Sequence, residues 1–294
     1  MSFKEKWLTA VEKKNSVLCA GLDPAAFDMG RREEGLPQGV DKRDWSLKYI
    51  GAVAPFCAAV KPNLQYWKNA DDMKILAEIN ELAHSLDMVV IEDAKLADIG
   101  STNDAGFFYS AKKKFDAVTY SPFAGNIEEA AKQAKERDIG VICMCLMSNP
   151  EYENEKNKLV SVKNGGYDKM DTLHIMHSGL ESGFYVRQYI QLAHDSAKYK
   201  LDGVVIGAPS SKNHIKEDEI ASVRGYLGDN MLVLLPGVGK QGGEAQIIWG
   251  YFPKNNVIVN VGRALMFPNG QNSSSKDHIT AAKQYQDMLN SLRK

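Results

Sequence analysis

The sequence predicts an α/β protein that folds as a single (β/α)8 TIM barrel spanning residues 1–294. Three observations support this fold: apolar strand-like runs recur along the chain, helical segments separate them, and the runs number eight. Nearly continuous apolar strands are typical of a parallel sheet that is buried on both faces. Eight strand–helix units are the number that closes such a sheet into a barrel, and an open doubly wound sheet is the alternative.

The eight runs are rich in Val, Ile, Leu, Ala and Cys, and they lie at 16–23, 57–63, 88–95, 115–122, 140–148, 202–209, 231–239 and 256–263. Between them, residues 71–86 and 126–137 combine good helix formers with helical periodicity. Residues 277–292 predict a terminal helix. The order of these elements alternates strand and helix along most of the chain, as the barrel requires.

The first residues predict an additional helix that packs on the barrel. Ser2 and Glu5 have the spacing of a capping box. The apolar side chains that follow fall on one helical face, namely Phe3, Trp7, Leu8 and Val11. Because these apolar residues are spaced rather than continuous, the segment does not have the pattern of a signal peptide.

Two connections are long for a compact barrel. Residues 24–43 follow the first strand and residues 149–182 follow the fifth, and both are polar. Unstructured connections of this length are usually functional lids or disordered insertions. Both follow strands, so we expect them on the face of the barrel where active sites form. The prediction therefore includes a long insertion after the fifth strand.

Composition excludes several classes of partner. The chain is 44% hydrophobic and 25% charged, and its net charge is −1. A charge so close to zero argues against nucleic acid or an anionic membrane as the main partner. No apolar run approaches the roughly 20 residues that span a bilayer. The cysteines lie in apolar runs without a nearby His at ligand spacing, which predicts core thiols in the cytoplasm: Cys19, Cys57, Cys143 and Cys145.

Charged residues stand where buried strands should end. Asp93 and Lys95 are two residues apart at the end of the third run, so they share a face. The same alternation directs Lys61 of the second run and Asp23 of the first toward one mouth of the barrel. Buried charges must pair, form hydrogen bonds or do chemistry. Ion pairs that join adjacent strands would explain one pair, whereas two Lys and two Asp on three strands favour a catalytic acid–base array.

The last two strands predict an anion site. Residues 235–243, "LPGVGKQGG", form a glycine-rich loop that should open a helix, and Gly262-Arg263 end the eighth run. Backbone N–H groups and an Arg fork bind anions, and barrels frequently bind phosphate at these two loops. A tight turn with a surface Arg is the simpler alternative. The glycines also match a dinucleotide fingerprint, but the acidic residue that should follow about 20 residues later is absent.

The motifs as a group resemble the orotidine 5′-monophosphate (OMP) decarboxylase family. "DAKLADIGST" (93–102) has the D-x-K-x-x-D-I-x-x-T pattern, with Asp93, Lys95, Asp98 and Thr102 in the matching places. Further matches follow in family order from the first strand to the eighth: "GLDP" with Asp23, "VKPN" with Lys61, "MSNP" with Ser148, "LPGVGKQGG" with Pro236 and Gln241, and "VGRA" with Arg263. The resemblance thus covers nearly the whole chain.

This resemblance implies a cofactor-free homodimer that converts OMP to UMP and CO2 in pyrimidine biosynthesis. It implies that Lys95 protonates carbon 6 of the ring and that Lys61, Asp93 and Asp98 complete the charged array. In the family the second Asp and the Thr reach the site from the other subunit. It also implies substrate contacts: Asp23 and Thr102 at the ribose, Ser148 at the pyrimidine amide, and Gln241, Gly262 and Arg263 at the phosphate, with Pro236 in the phosphate loop.

Three other functions fit parts of the pattern. A sugar-phosphate lyase of the same superfamily (ketogulonate-phosphate decarboxylase or hexulose-phosphate synthase type) shares D-x-K-x-x-D, but it needs Mg²⁺ and a Glu where Lys61 stands. A nicotinamide-dependent oxidoreductase would use the glycine fingerprint. A non-catalytic binding protein on the same scaffold should lack members of the array, and none is missing. We therefore expect no metal site.

Overall fold

The computed structural model describes residues 1–163, 166–175, 183–239 and 243–294. Within these ranges eleven strands follow in chain order: β1 (Leu18–Leu22), β2 (Ala59–Pro62), β3 (Val89–Leu96), β4 (Ala117–Tyr120), β5 (Gly140–Leu146), β6 (Leu159–Val162), β7 (Leu173–Ile175), β8 (Gly183–Arg187), β9 (Gly203–Ile206), β10 (Leu232–Pro236) and β11 (Val257–Val261). Eight of them form a closed parallel barrel in the order β1-β2-β3-β4-β5-β9-β10-β11. Each predicted apolar run overlaps one barrel strand, and the predicted (β/α)8 fold is confirmed.

Helices surround this barrel, and those in the described residues are α1 (Phe3–Lys14), α2 (Lys42–Val53), α3 (Asp72–Ser85), α4 (Gly100–Lys112), α5 (Ile127–Lys135), α6 (Tyr152–Lys156), α7 (Gln188–Lys198), α8 (Glu217–Leu227), α9 (Arg263–Met266) and α10 (Ser275–Leu292). The predicted capping box of α1 is present, since Ser2 N–H donates to Glu5 Oε2 at 2.7 Å and Glu5 N–H donates to Ser2 Oγ at 3.3 Å. Phe3, Trp7 and Val11 are buried as predicted, and Leu8 is partly exposed.

The described part of the connection after β5 is structured rather than an open loop, which corrects the expectation from its composition. It contains α6 and a separate antiparallel sheet in the order β6-β8-β7. Lys156 anchors it to the barrel, because its fully buried ammonium group pairs with Glu219 of α8 at 2.6 Å. Tyr152 O–H also donates to the carbonyl of Cys145 at 2.6 Å. The insertion is therefore attached to the carboxyl end of β5, beside the barrel mouth.

The connection after β10 also differs from the prediction. Residues 235–243 were expected to open a helix, whereas the first helical segment described after them is a 3₁₀ helix at Gln246–Gly250. Residues 240–242 lie outside the described part of the chain, so the predicted contact of Gln241 with phosphate cannot be located on the fold. Among the described residues, the predicted anion site therefore consists of Pro236 at the end of β10 and of Gly262 and Arg263 after β11.

Apolar side chains from the strands and the inner faces of the helices fill the interior. All four cysteines are buried and free, as predicted. Burial raises the pKa of Cys19 and of Cys143 to about 12, so these thiols stay protonated at neutral pH and act as packing groups. Within the described ranges, no helix is both long and apolar enough to cross a bilayer.

Candidate active site

A buried carboxylate between two ammonium groups forms the centre of the candidate site. Asp93 on β3 accepts a hydrogen bond from Lys61 Nζ through Oδ2 and one from Lys95 Nζ through Oδ1. Lys61, at the end of β2, is 6% exposed, and Asp93 is 8% exposed. The Lys95 side chain is 47% exposed and therefore faces the open mouth. Three of the four predicted members, Lys61, Asp93 and Lys95, are thus in contact, and Lys95 is the most exposed of them.

The strand bulges where these residues lie. Glu92 of β3 pairs with Val118 of β4, and Leu96 pairs with Tyr120, so three residues of β3 stand opposite one residue of β4. Lys95 has φ +51°, in the left-handed region. Such a conformation costs roughly 1 to 3 kcal/mol for a residue with a side chain, and it persists only where surrounding contacts hold it. The alignment of Asp93 and Lys95 therefore comes from a bulge and not from regular alternation.

The electrostatics of the array favour the charged forms. Burial opposes ionisation of Asp93, but Lys61 and Lys95 outweigh it and hold the pKa of that carboxyl well below its usual range. Burial likewise opposes the charge on Lys61, yet Asp93 and Asp23 raise its pKa above the usual value. At neutral pH the array therefore contains an ammonium group on Lys61 and a carboxylate on Asp93.

Asp23 follows β1 and borders the array without a hydrogen bond to it. Its Oδ1 atom is buried and has no hydrogen-bond partner among the described residues. Burial raises the pKa of Asp23, and the nearby charge of Lys61 reduces this effect without cancelling it. A buried polar atom without a partner costs free energy, so such an atom at a barrel mouth is suited to receive a donor from a ligand.

Arg263 and Asp23 border two separate hollows. One, of about 130 Å³, has Pro236, Gly262 and Arg263 in its wall. The other, of about 250 Å³, extends under the β1–α2 loop and includes Glu34. Arg263 Nη1 donates to Glu34 Oε2 at 2.6 Å, so this guanidinium already binds an anionic oxygen. The predicted phosphate residues Pro236, Gly262 and Arg263 therefore meet at one place.

Two close approaches shape the rim of the mouth. A Cβ atom on Gly21 would lie 2.8 Å from the Cα atom of Gly262, so β1 and the end of β11 can meet there only through glycine. A Cβ atom on Gly207 would lie 2.6 Å from the Cβ atom of Ser148. Ser148, the predicted pyrimidine-binding residue, follows the end of β5, and its contact with Gly207 after β9 places it at the same rim.

Asp98 and Thr102 do not join the array within one chain. The Asp98 carboxylate accepts the N–H of Ile99 at 2.7 Å, and it forms no ion pair with any described residue. Thr102 is exposed on α4. Apolar side chains around them also face outward, with Ile99, Phe108, Tyr109 and Phe123 between 50% and 91% exposed, whereas Phe107 is buried. The prediction that these two residues act in a neighbouring subunit is consistent with this exposure but is not tested by it.

Sequence reasoning overlooked two residues at the site. Glu34, in the first long connection, binds Arg263. Thr119 on β4 is 2% exposed, and its hydroxyl contacts both Lys95 and Asp93. A signal for Thr119 was available, because it is a polar residue inside the apolar run "AVTY" near the end of a strand.

Comparison with known proteins agrees with this geometry. Residues 16–276 match the family described as Orotidine 5′-phosphate decarboxylase / HUMPS family. The chain belongs to this family. Among its relatives, the orotidine 5′-phosphate decarboxylase of Halorubrum lacusprofundi is 28% identical over 309 residues, with 100% of both chains covered. That of Halobacterium salinarum is 29% identical over 279 residues, covering 93% of this chain and 92% of the relative.

A solved structure supports the fold of this decarboxylase family. The OMP decarboxylase of Leishmania donovani superposes with a TM-score of 0.71 at 21% identity, covering 100% of this chain and 99% of that one. The family resemblance inferred from the motifs is thus confirmed, and the individual roles of the site residues rest on the geometry described above.

Proposed function

We propose that the protein is an orotidine 5′-phosphate decarboxylase that converts OMP to UMP and CO2 without a metal or organic cofactor, as a step of de novo pyrimidine biosynthesis. The observation that carries this proposal is the Lys61–Asp93–Lys95 array at a barrel mouth that also contains Arg263. The array places an exposed ammonium group beside a carboxylate whose charge is maintained by a second, buried ammonium group. Family membership of the relatives named above supports the same reaction.

The array suits a reaction in which negative charge develops on a ring carbon. Loss of CO2 from carbon 6 of the pyrimidine leaves an electron pair that the ring carbonyls delocalise poorly. An ammonium group held at that carbon stabilises the developing charge, and its proton can then replace the lost carboxyl group. Lys95 is the member of the array with an open path to a ligand, so we assign it this role. Asp93 orients Lys95, and Lys61 keeps Asp93 ionised.

The remaining predicted contacts bind different parts of the substrate on different sides of the barrel mouth. Arg263 with Gly262, Pro236 and Gln241 would hold the phosphate, and Ser148 would bind the pyrimidine amide. Asp23 would accept a ribose hydroxyl at its buried oxygen. Since the phosphate is remote from the reacting carbon, its binding energy can offset the cost of placing and desolvating the ring. Glu34 would have to leave Arg263 as the phosphate arrives.

We also propose that the enzyme is a cytoplasmic homodimer with shared active sites. Asp98 and Thr102 are exposed beside the apolar residues Ile99, Phe108 and Tyr109 of the same surface. A two-fold contact through this surface would bury those apolar side chains and bring each Asp98 toward the partner's array. The supporting observation is the lack of any ion pair for Asp98 with the described residues of its own chain.

The direct test is the absorbance of OMP during incubation with purified protein that has been treated with EDTA. We expect the absorbance to fall as UMP forms, and we expect added Mg²⁺ to change the rate little, because the ammonium group of Lys61 stands where the related lyases place a metal-binding carboxylate. Complete loss of turnover after chelation, restored by Mg²⁺, would instead favour a sugar-phosphate lyase. Absence of OMP turnover under both conditions would refute the proposed reaction.

A further inference from the structure

Thr119 faces the bulge that carries the candidate catalytic residues. Because Glu92 pairs with Val118 and Leu96 pairs with Tyr120, Thr119 is the single β4 residue opposite Asp93–Lys95 of β3. Its side chain lies inside the barrel and is only 2% exposed. A regular parallel ladder would supply backbone partners along this stretch, but the bulge interrupts the ladder there.

One hydroxyl group replaces the missing backbone partner. Lys95 N–H donates to Thr119 Oγ1 at 3.0 Å, and Thr119 Oγ1 donates to Asp93 Oδ1 at 3.2 Å. Asp93 Oδ1 also accepts from Lys95 Nζ. These bonds form a closed circuit that begins at the backbone of Lys95 and returns to its ammonium group. Both ends of the lysine are therefore held against the same pair of partners.

This circuit of hydrogen bonds explains how Lys95, whose backbone is in the left-handed region, is kept in place at an open mouth. With φ +51°, Lys95 is in a conformation that side chains rarely adopt, and half of its side chain is exposed to solvent. The Thr119 hydroxyl satisfies the N–H that the bulge frees, and it directs the Asp93 oxygen that receives the ammonium group.

We propose that Thr119 is a positioning residue that sets the place of the Lys95 ammonium group relative to the reacting carbon. This inference rests on the proposed decarboxylation, because it assigns the hydroxyl group an effect on that reaction. Thr119 touches no reacting atom itself. It acts through the backbone of Lys95 and the carboxylate of Asp93, so its loss should affect turnover and leave the binding of the product nucleotide unchanged.

The test compares three variants. Thr119→Val keeps the shape and removes the hydroxyl, and we expect kcat to fall about 10- to 100-fold while KM and the Kd for UMP change less than about twofold. Thr119→Ser restores the hydroxyl and should recover kcat to within about threefold. The matched control is Ser110→Ala. The Ser110 hydroxyl donates to the buried carboxylate of Glu92, the residue adjacent to Asp93 on β3, and its removal should leave kcat unchanged. A wild-type kcat in Thr119→Val, or a Thr119→Ser variant as slow as Thr119→Val, would overturn the proposal.

A second readout does not depend on the reaction. Removing the Thr119 hydroxyl takes away the acceptor of the Lys95 N–H, so hydrogen exchange of that amide should become at least about tenfold faster in Thr119→Val and stay unchanged in Ser110→Ala. Unchanged exchange in Thr119→Val would contradict the positioning role whatever the turnover. If wild-type protein does not decarboxylate OMP, the proposed function fails, and the exchange experiment still decides whether Thr119 holds Lys95.

Discussion

Asp93 is the residue on which the candidate chemistry depends. Its two oxygens bind different lysines, one buried and one exposed, and this asymmetry separates their roles. Lys61 cannot approach a ligand without leaving the interior, whereas Lys95 already faces the mouth. A buried ion pair of this kind contributes little net stability, but the loss of one partner leaves an uncompensated charge. The array is therefore better explained by reactivity than by stability.

Lys95→Ala should abolish decarboxylation and leave the binding of UMP-like ligands nearly unchanged. The proposed phosphate contacts lie at Arg263, and Asp93 keeps its pairing with Lys61, so the fold should persist. Turnover and UMP affinity measured on one preparation check this, with Lys74→Ala on the exposed face of α3 as the control. A variant that retains more than a few per cent of kcat would show that Lys95 is not the proton donor.

Asp23→Asn should stabilise the protein at neutral pH while it weakens substrate binding. Burial raises the folded-state pKa of Asp23 above its unfolded value, so the wild-type protein loses stability as pH rises through the interval between the two values. The Asn variant carries no charge there and lacks this loss. We expect its Tm to exceed that of the wild type near pH 7, because the wild-type protein must keep a buried carboxylate charged there and the Asn variant does not.

Calorimetry of both proteins between pH 4 and pH 8 tests the sign of this effect. The advantage of Asp23→Asn should shrink as the pH falls toward the ordinary range for carboxyl groups, because the wild-type carboxyl group then becomes protonated and neutral. A Tm below that of the wild type at pH 8 would mean that Lys61 stabilises the Asp23 charge more than burial opposes it.

Two groups of barrel strands contribute different functional residues to the two sides of the mouth. The ends of β1, β2 and β3 supply the charged residues, and the ends of β10 and β11 line the proposed anion site. The carboxyl ends of all parallel barrel strands lie at the same face, so residues that are far apart in the sequence meet there. The order of the strands along the chain is enough to predict this meeting. The β1–α2 connection adds Glu34 to the anion site. This loop therefore contacts the proposed phosphate subsite directly.

Arg263→Ala should weaken the binding of phosphorylated ligands far more than that of the free nucleoside. Loss of a charge-assisted contact of this kind costs about 1.5 to 3 kcal/mol, which corresponds to roughly 10- to 150-fold in Kd. Calorimetric titration with UMP and with uridine measures the two effects. Glu34→Gln is the opposing variant, since it removes the carboxylate charge that Arg263 binds, and it should preserve or strengthen UMP binding. Equal losses for UMP and uridine in Arg263→Ala would place the phosphate elsewhere.

The assembled enzyme is expected to need two chains for each active site. Asp98 lies beyond the end of β3 and forms no ion pair with the described residues of its own chain, and exposed Phe108 and Tyr109 lie on the following helix. Phe107 packs between α4 and the barrel, whereas Phe108 and Tyr109 do not, so packing within one subunit explains only the first of these three aromatic residues. An apolar surface of this kind next to an exposed carboxylate fits a two-fold interface.

Mixing the inactive variants Lys95→Ala and Asp98→Ala should therefore restore activity. After random subunit exchange half of the dimers are mixed, and one of their two sites carries neither lesion, so activity should reach about one quarter of the wild-type value. Native mass spectrometry establishes the exchange, and either variant incubated alone is the control. Exchange without recovery of activity would mean that Asp98 acts within its own subunit.

Much of this protein could be predicted from local patterns. The eight apolar runs identified every barrel strand, because a strand buried on both faces must be apolar throughout its length. Lys61, Asp93 and Lys95 could be assigned to one mouth, because strand ends in a closed parallel barrel share an edge. The capping box of α1 was likewise visible in Ser2 and Glu5. Each of these features depends on a short segment and on the direction of the strands.

Other features were decided only by the tertiary structure. The β3 bulge, the left-handed Lys95 and its hydrogen bond to Thr119 depend on the register between two strands, and the pattern of neither strand specifies that register. The sheet inside the insertion and the contact of Glu34 with Arg263 join segments that are distant along the chain. The sequence by itself determined which residues carry charge and which strands end beside them. Their hydrogen-bond partners followed from packing, because a side chain bonds to whatever donor or acceptor the folded chain brings within reach.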